Sequence, residues 1–193
     1  MAPSGEPGAR TRGRPVEIDP ARLSRTAVEL FAERGYDDVS AAEVADAAGV
    51  SRRSLFRYFP TKADLVWHGF EGVLEVMSVA LLENGGKPPV RAVVDALMVA
   101  AERTPGLELA RARLRILAEH AELVSMGLGR LDEMIQLCAA YLRNRGVDDL
   151  TAQVQGAALV AASFTGYLHW ATQTSDVSPV ESVRRALDAV SAL

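Results

Sequence analysis

The chain has 193 residues, 49% of them hydrophobic and 24% charged, with a net charge of −4. This composition supports a packed core, excludes a disordered or collagen-like chain, and fits either one domain or a small domain joined to a medium one. Residues 1–62 carry ten Lys/Arg against nine Asp/Glu and residues 63–193 carry eleven against sixteen, so a polyanion would be met at the N-terminal end and repelled elsewhere.

Residues 1–18 are rich in Pro, Gly and Arg and have no apolar run after the arginines, which reads as a disordered basic arm and not as a secretory signal. Asp19-Pro20 then starts a helix with Leu23, Ala27, Leu30 and Phe31 at helical spacing and Gly35 at its end. Ser40 with Glu43 forms a capping box for a second helix, whose apolar side is Ala41, Val44, Ala45 and Ala48 and whose stop is Gly49. Ser51 caps a third, with Leu55, Phe56 and Phe59 inward and Pro60 at its end. Three short helices with a Gly-Val-Ser turn between the last two predict a helix-turn-helix domain over 19–62 that leans on the next element for stability. Thr61 and Asp64 cap a fourth helix running to about Glu83. Further helices are expected at 89–102, 107–118, 121–145, 149–173 and 178–191. The fold class is therefore all-α with about nine helices, and residues 63–193 form a second, helical domain, which the resemblance given below implies is a ligand-binding and dimerisation domain.

A helix seated in the major groove of DNA must present polar side chains outward and be pinned to the backbone at its ends. The third helix offers Ser51, Arg52, Arg53, Ser54, Arg57 and Tyr58, and the forked guanidinium of Arg53 suits a guanine edge. Lys62 and Ser40 are placed for phosphates. Arg12 and Arg14 fit a minor groove, or serve as part of a solubilising tail.

The segment from Ala27 to Leu65, AVELFAERGYDDVSAAEVADAAGVSRRSLFRYFPTKADL, resembles the TetR family of transcriptional regulators. The likeness lies in Phe-x-x-x-Gly-Tyr, the Ser-capped helix ending Ala-Gly-Val-Ser, the short helix ending Tyr-Phe, and the Thr-Lys that follows. It implies a cytoplasmic homodimer that binds a palindromic double-stranded operator and is released by a small hydrophobic effector. An activator or a ligand-independent regulator of the same fold, and a helical interaction module without DNA contact, are the alternatives. Phe56 stands where relatives carry a phosphate-bonding tyrosine, and Tyr58 where histidine is frequent. The string FRYFPTKADLVWHGFE, Phe56 to Glu71, is also similar to regulators associated with mycofactocin systems, which implies an acyl-thioester effector.

In the C-terminal part, Trp67, Phe70, Leu74 and Met77 make a bulky stripe on the fourth helix. With Arg111, Arg115, His120, Met134, Phe164, Tyr167 and Trp170 they are the candidate effector-binding residues, although packing explains each one singly. The small residues Ala158, Ala162 and Gly166 together with Val180, Val183, Leu187 and Val190 fit a four-helix seam between two copies, or burial within one chain. No catalytic constellation, phosphate loop or metal-ligand spacing stands out, so an enzyme, a bound metal and a cofactor are not expected. Cys138 is the only cysteine, which leaves no intrachain disulfide and points to a reducing cytoplasm. The longest apolar stretch, from Ala152 to Trp170, is interrupted by Gln153, Gln155, Ser163, Thr165 and His169, so no membrane partner is expected.

Overall fold

The computed structural model describes residues 18–174 and 177–191, and every regular element among them is a helix. The head begins with α1 (Pro20–Arg34), where the Asp19 carboxylate accepts the Ala21 N–H and Pro20 sits where no N–H is needed. α2 (Ala41–Ala47) and α3 (Arg52–Tyr58) have seven residues each, too few to persist alone. Local caps and tertiary packing hold them. Ser40 and Glu43 close α2 reciprocally, the Ser51 hydroxyl accepts the Ser54 N–H at the start of α3, and Thr61 with Asp64 repeats the reciprocal cap on α4 (Lys62–Trp67). Leu23, Ala27, Val28 and Phe31 of α1, Val44 and Ala45 of α2, Leu55 of α3, and Leu65 and Val66 of α4 are all buried.

The body follows as α5 (Glu71–Glu83), α6 (Pro89–Glu102), α7 (Leu107–Glu119), α8 (Ala121–Met126), α9 (Leu128–Asn144), α10 (Asp149–Thr172) and α11 (Pro179–Ser191). The apolar cluster of the head does not stop at α4. It continues through Leu114, Ile116 and Leu117 of α7, Leu123 of α8, and Trp170 and Ala171 at the end of α10. The head thus borrows body residues to complete its core, as its small size requires. A second cluster gathers Met77 and Leu81 of α5, Val93 and Leu97 of α6, Cys138 and Leu142 of α9, Leu159 and Val160 of α10, and Val183 and Leu187 of α11.

Eleven helices replace the expected nine among the described residues because two rods are cut. The helix expected from Thr61 to Glu83 breaks at His68–Phe70, where Gly69 takes φ +98°, a conformation that a side chain strains. Its freed N–H is accepted by the Glu71 carboxylate at 2.9 Å. Taken as one stretch, Lys62–Glu83 is long and apolar enough to cross a membrane by length and composition. The break divides it, and Trp67, Met77, Ala80 and Leu81 are buried in the two clusters. The second rod, 121–145, is cut at Gly127. A Cβ there would lie 2.0 Å from two carbons of the Trp67 ring, so the indole fills the space that a side chain would need. Trp67 is fully buried, and its ring N–H is accepted by the Leu123 carbonyl at 2.8 Å.

Part of the stripe expected at a seam between subunits is taken up within the chain, as the alternative of burial in one chain has it, and part stays half-covered. At Gly166 a Cβ would come within 2.8 Å of the Val183 Cα, so the small residue admits α11 of the same chain. Val183 and Leu187 are fully buried and Ala162 is buried beside them, while Ala158, Val180 and Val190 are half-covered. The outward side of α10 is instead marked by Leu150 and Val154, 73% and 58% exposed.

Two outcomes follow from these contacts. Gly127→Ala forces a methyl group into the Trp67 ring and is expected to lower stability by about 1–3 kcal/mol, read as a fall in the denaturant midpoint with an unchanged slope. The Ser40 backbone N–H, Arg34 and the Ser40 hydroxyl hold the Glu43 carboxyl at about 2, below its ordinary 4.5. The depressed value means that its stabilisation is present above pH 4.5 and is lost as pH falls from there toward about 2. The difference in melting temperature between the parent and Glu43→Gln should shrink through that window; a constant difference would contradict the assignment.

Candidate nucleic-acid interface and effector cleft

The exposed side of α3 carries Arg52, Arg53 and Arg57, with Tyr58 at its end and Ser54 half-buried. Arg52 lies over the Phe56 ring at 5.6 Å, and Arg57 lies over Tyr58 at 5.0 Å with one N–H toward the phenol oxygen. These ring contacts hold two guanidinium groups against their own helix. Arg53 makes no hydrogen bond, ion pair or ring contact with any described residue, so its donors face outward for an external acceptor. Ser51 donates to the Ser54 hydroxyl at 2.9 Å, and Ser40 donates to Glu43 at 2.9 Å. Both hydroxyl protons are therefore engaged inside caps, and these serines shape the helix starts. Arg12 and Arg14 lie outside the described residues.

Lys62 is turned inward, where the sequence places it for a phosphate. Its ammonium donates to the Tyr36 carbonyl at 2.6 Å and the Val39 carbonyl at 3.1 Å, and it sits 3.9 Å from the Tyr36 ring centre. Burial pulls its pKa below the ordinary lysine value, against the opposing charges of Asp37 and Asp38. Two of its three donors thus brace the turn between α1 and α2. Burial also pushes the Tyr36 phenol up to about 12, helped by the charges of Asp37 and Glu122.

Three polar links join head and body beside the Trp67 contact. Arg113 of α7 donates to the Ser24 hydroxyl at 2.9 Å, and Ser24 in turn donates to the Leu65 carbonyl at 2.7 Å. Burial lowers the Arg113 pKa, with the Glu71 charge acting against that shift. Arg130 of α9 reaches Asp64 of α4 at 3.2 Å and lies over the Trp67 ring at 6.0 Å. His120 packs its ring on Tyr36 at 5.1 Å and approaches Glu122 at 3.2 Å and Asp37 at 4.0 Å.

The expected effector residues scatter. His120 belongs to the joint. Trp67 and Trp170 are core, and Met77 and Met134 are buried. Phe164 stacks on Trp67 at 6.0 Å, and the Tyr167 hydroxyl pairs with Thr104 at 3.2 Å. Arg111 donates to the Trp170 carbonyl at 3.5 Å and Arg115 to the Ala171 carbonyl at 3.2 Å. Both thus bond to carbonyls in the last turn of α10, where the helix has run out of its regular donors; the Trp170 carbonyl also accepts the Gln173 N–H at 3.3 Å. Phe70 and Leu74 do line a cavity of about 340 Å³ between α5 and the α8–α9 segment, together with Glu71, Met126, Gly129, Arg130 and Glu133. That volume lies at the lower end of small-molecule sites. Sequence reasoning missed the last five residues. The only signal was the glycine pair Gly127 and Gly129, which marks a place where bulk is excluded. Burial pushes the Cys138 thiol up to about 12 and keeps it protonated.

Comparison with known proteins follows this division. The family described as "Bacterial regulatory proteins, tetR family" matches residues 23–67, which is the α1–α4 head, and the MftR C-terminal domain family matches residues 87–193. A Mycobacterium tuberculosis protein named as a mycofactocin biosynthesis transcriptional regulator, MftR, is 28% identical over 185 residues, covering 93% of each chain. The crystal structure of Thermus thermophilus FadR, described as a TetR-family transcriptional repressor in complex with lauroyl-CoA, aligns with a TM-score of 0.62 and 25% identity, over 89% of this chain and 93% of that one. NalD of Pseudomonas aeruginosa, described as the secondary repressor of a multidrug efflux pump, shares the fold at a TM-score of 0.64 and 23% identity over 90% and 94% of the two chains. With a head of one family and a C-terminal domain of the other, together matching all of residues 23–193 except 68–86, the chain belongs to the TetR family of DNA-binding, non-catalytic transcriptional regulators, in the branch that carries an MftR C-terminal domain.

Proposed function

We propose that the chain is a cytoplasmic repressor that holds a palindromic operator as a homodimer and lets it go when an apolar-chain effector, an acyl thioester, enters the body. The observation that carries the DNA reading is Arg53, outward on the recognition helix α3 and without a partner among the described residues, whose fork can make two bonds to a guanine edge. The likeness to FadR, described in complex with lauroyl-CoA, supports the effector class. The cleft beside Phe70, Leu74 and Met126 gives an apolar chain a place to enter.

The proposed dimer seam is the outward side of α10, where Leu150, Val154 and Ala161 are exposed at helical spacing. The half-covered Ala157 and Ala158 lie between them, and apolar side chains grouped on one helix face suit burial against a partner. Beside it α11 exposes Glu181, Arg184, Arg185 and Asp188 on one side, two acids and two bases that complement themselves across a two-fold axis.

Anisotropy titration of a duplex selected from a random-sequence library tests the DNA reading. Arg53→Ala should weaken binding to that duplex by about 1–3 kcal/mol and relax its base preference, and added salt should weaken both proteins. An affinity indifferent to Arg53 would refute the assignment of α3. Lauroyl-CoA should release the parent from the duplex, and failure of every acyl thioester to do so would exclude that effector class. Val154→Asp should shift the mass measured by light scattering from twice to once 20.7 kDa; an unchanged dimer would move the seam elsewhere.

A further inference from the structure

Arg130 is a cleft residue and a head contact at once. It lines the cavity between α5 and α9, and its guanidinium reaches Asp64 on α4 at 3.2 Å. Both side chains are about three-tenths exposed or less, so the pair is partly shielded from water and weakens less with salt than a surface pair. Asp64 divides its two oxygens. One meets Arg130, while the other accepts the Thr61 backbone N–H at 2.9 Å and the Thr61 hydroxyl at 2.8 Å. Thr61 follows α3 after only Phe59 and Pro60. A single carboxylate therefore connects the cleft wall to the cap that fixes the exit of the recognition helix.

The other charges around the cavity leave Arg130 to Asp64. Glu71 is engaged by the Gly69 N–H at 2.9 Å, and the Glu133 side chain is exposed. The cavity has Phe70 and Leu74 of α5 and Met126 and Arg130 of the facing segment in its lining, so a chain that fills it would lie against the Arg130 side chain and compete with Asp64 for the guanidinium's position.

Resting on the repressor reading above, we propose that the Arg130–Asp64 ion pair is the coupling element through which occupancy of the α5–α9 cleft is passed to the DNA-reading head. The paired state is the operator-binding state. Arg130 acts as a positioning residue: it touches no DNA, and its loss reproduces the effect of the effector.

The test is a double-mutant cycle on operator affinity, with the library-selected duplex and the full chain. Arg130→Gln and Asp64→Asn each remove the charge pair, and the asparagine keeps an oxygen for the Thr61 cap. Each is expected to weaken operator binding about tenfold, within the span of ordinary coupling between sites, and the double variant should be no weaker than either single one. Arg143→Gln, which breaks the Arg143–Asp149 pair far along α9, is the control and should leave affinity unchanged. Lauroyl-CoA, followed by calorimetry, should bind Asp64→Asn, which lies outside the cleft lining, more tightly than the parent because no pair has to break, and it should cause about tenfold less further loss of operator affinity in either single variant. Unchanged affinity in the single variants, additive losses in the double, or full release of Arg130→Gln by lauroyl-CoA would each overturn the proposal. If lauroyl-CoA fails to bind the parent, the effector class falls, and the operator cycle alone decides the coupling. Melting curves of all variants separate a folding defect from a change in coupling.

Discussion

A buried indole needs a void of its own size and an acceptor for its N–H, and Trp67 obtains both from the body: the space left at Gly127 and the carbonyl of Leu123. The rest of the joint depends on this fit. Because α4 ends on Trp67, the residue that closes the head is also the one around which α8 and α9 separate. The break at His68–Phe70 follows, since a straight continuation would not carry α5 across to the second cluster. The same ring meets Phe70 at 4.6 Å and Phe164 at 6.0 Å, so α5 and α10 are placed by it as well. An unpaired indole N–H in such a place would cost more than a hydrogen bond normally contributes, and this makes the Leu123 carbonyl a condition of the arrangement.

The head was legible in the sequence because its devices are local. Asp19, Ser40 with Glu43, Ser51, and Thr61 with Asp64 each reach a backbone group within three residues, so spacing alone identifies them. The polar contacts of the body are not local. Lys62 finds its carbonyls 23 and 26 residues away, and Arg115 finds its carbonyl 56 residues away. Nothing in a sequence says that a cation there will meet a helix end and not a ligand. The two readings of the seam stayed open for another reason. α10 is apolar nearly all round, so periodicity cannot say which side faces its own chain, and Gly166 answers that question only through its distance to Val183. Gly127 stood out as a residue without bulk, but its partner lies 60 positions upstream.

The cleft shows the same limit from the opposite side. Phe70 and Leu74 were visible as part of a stripe, whereas Arg130 and Glu133 looked like the ordinary charged face of an amphipathic helix. Their importance comes from what α5 brings opposite them. The two proposed roles therefore differ in how they are written in this chain: DNA reading would rest on short-range caps and exposed arginines, and its regulation on pairings that exist only after the helices have crossed.

The arginines of α7 have a mechanical consequence. Arg111 and Arg115 bind it to the end of α10, while Arg113 binds it to Ser24 of α1. α7 and α10 thereby form a stator, and α1 packs along it through the shared apolar cluster, with the Arg113–Ser24 bond as its polar link. Asp64, another polar link, belongs to a different helix of the head and holds on to α9. Were the Asp64 link to let go, the head would keep the Trp67 seat, the Tyr36–His120 contact and the Arg113–Ser24 bond, so the loss of one link would tilt the head against its mooring and not set it adrift.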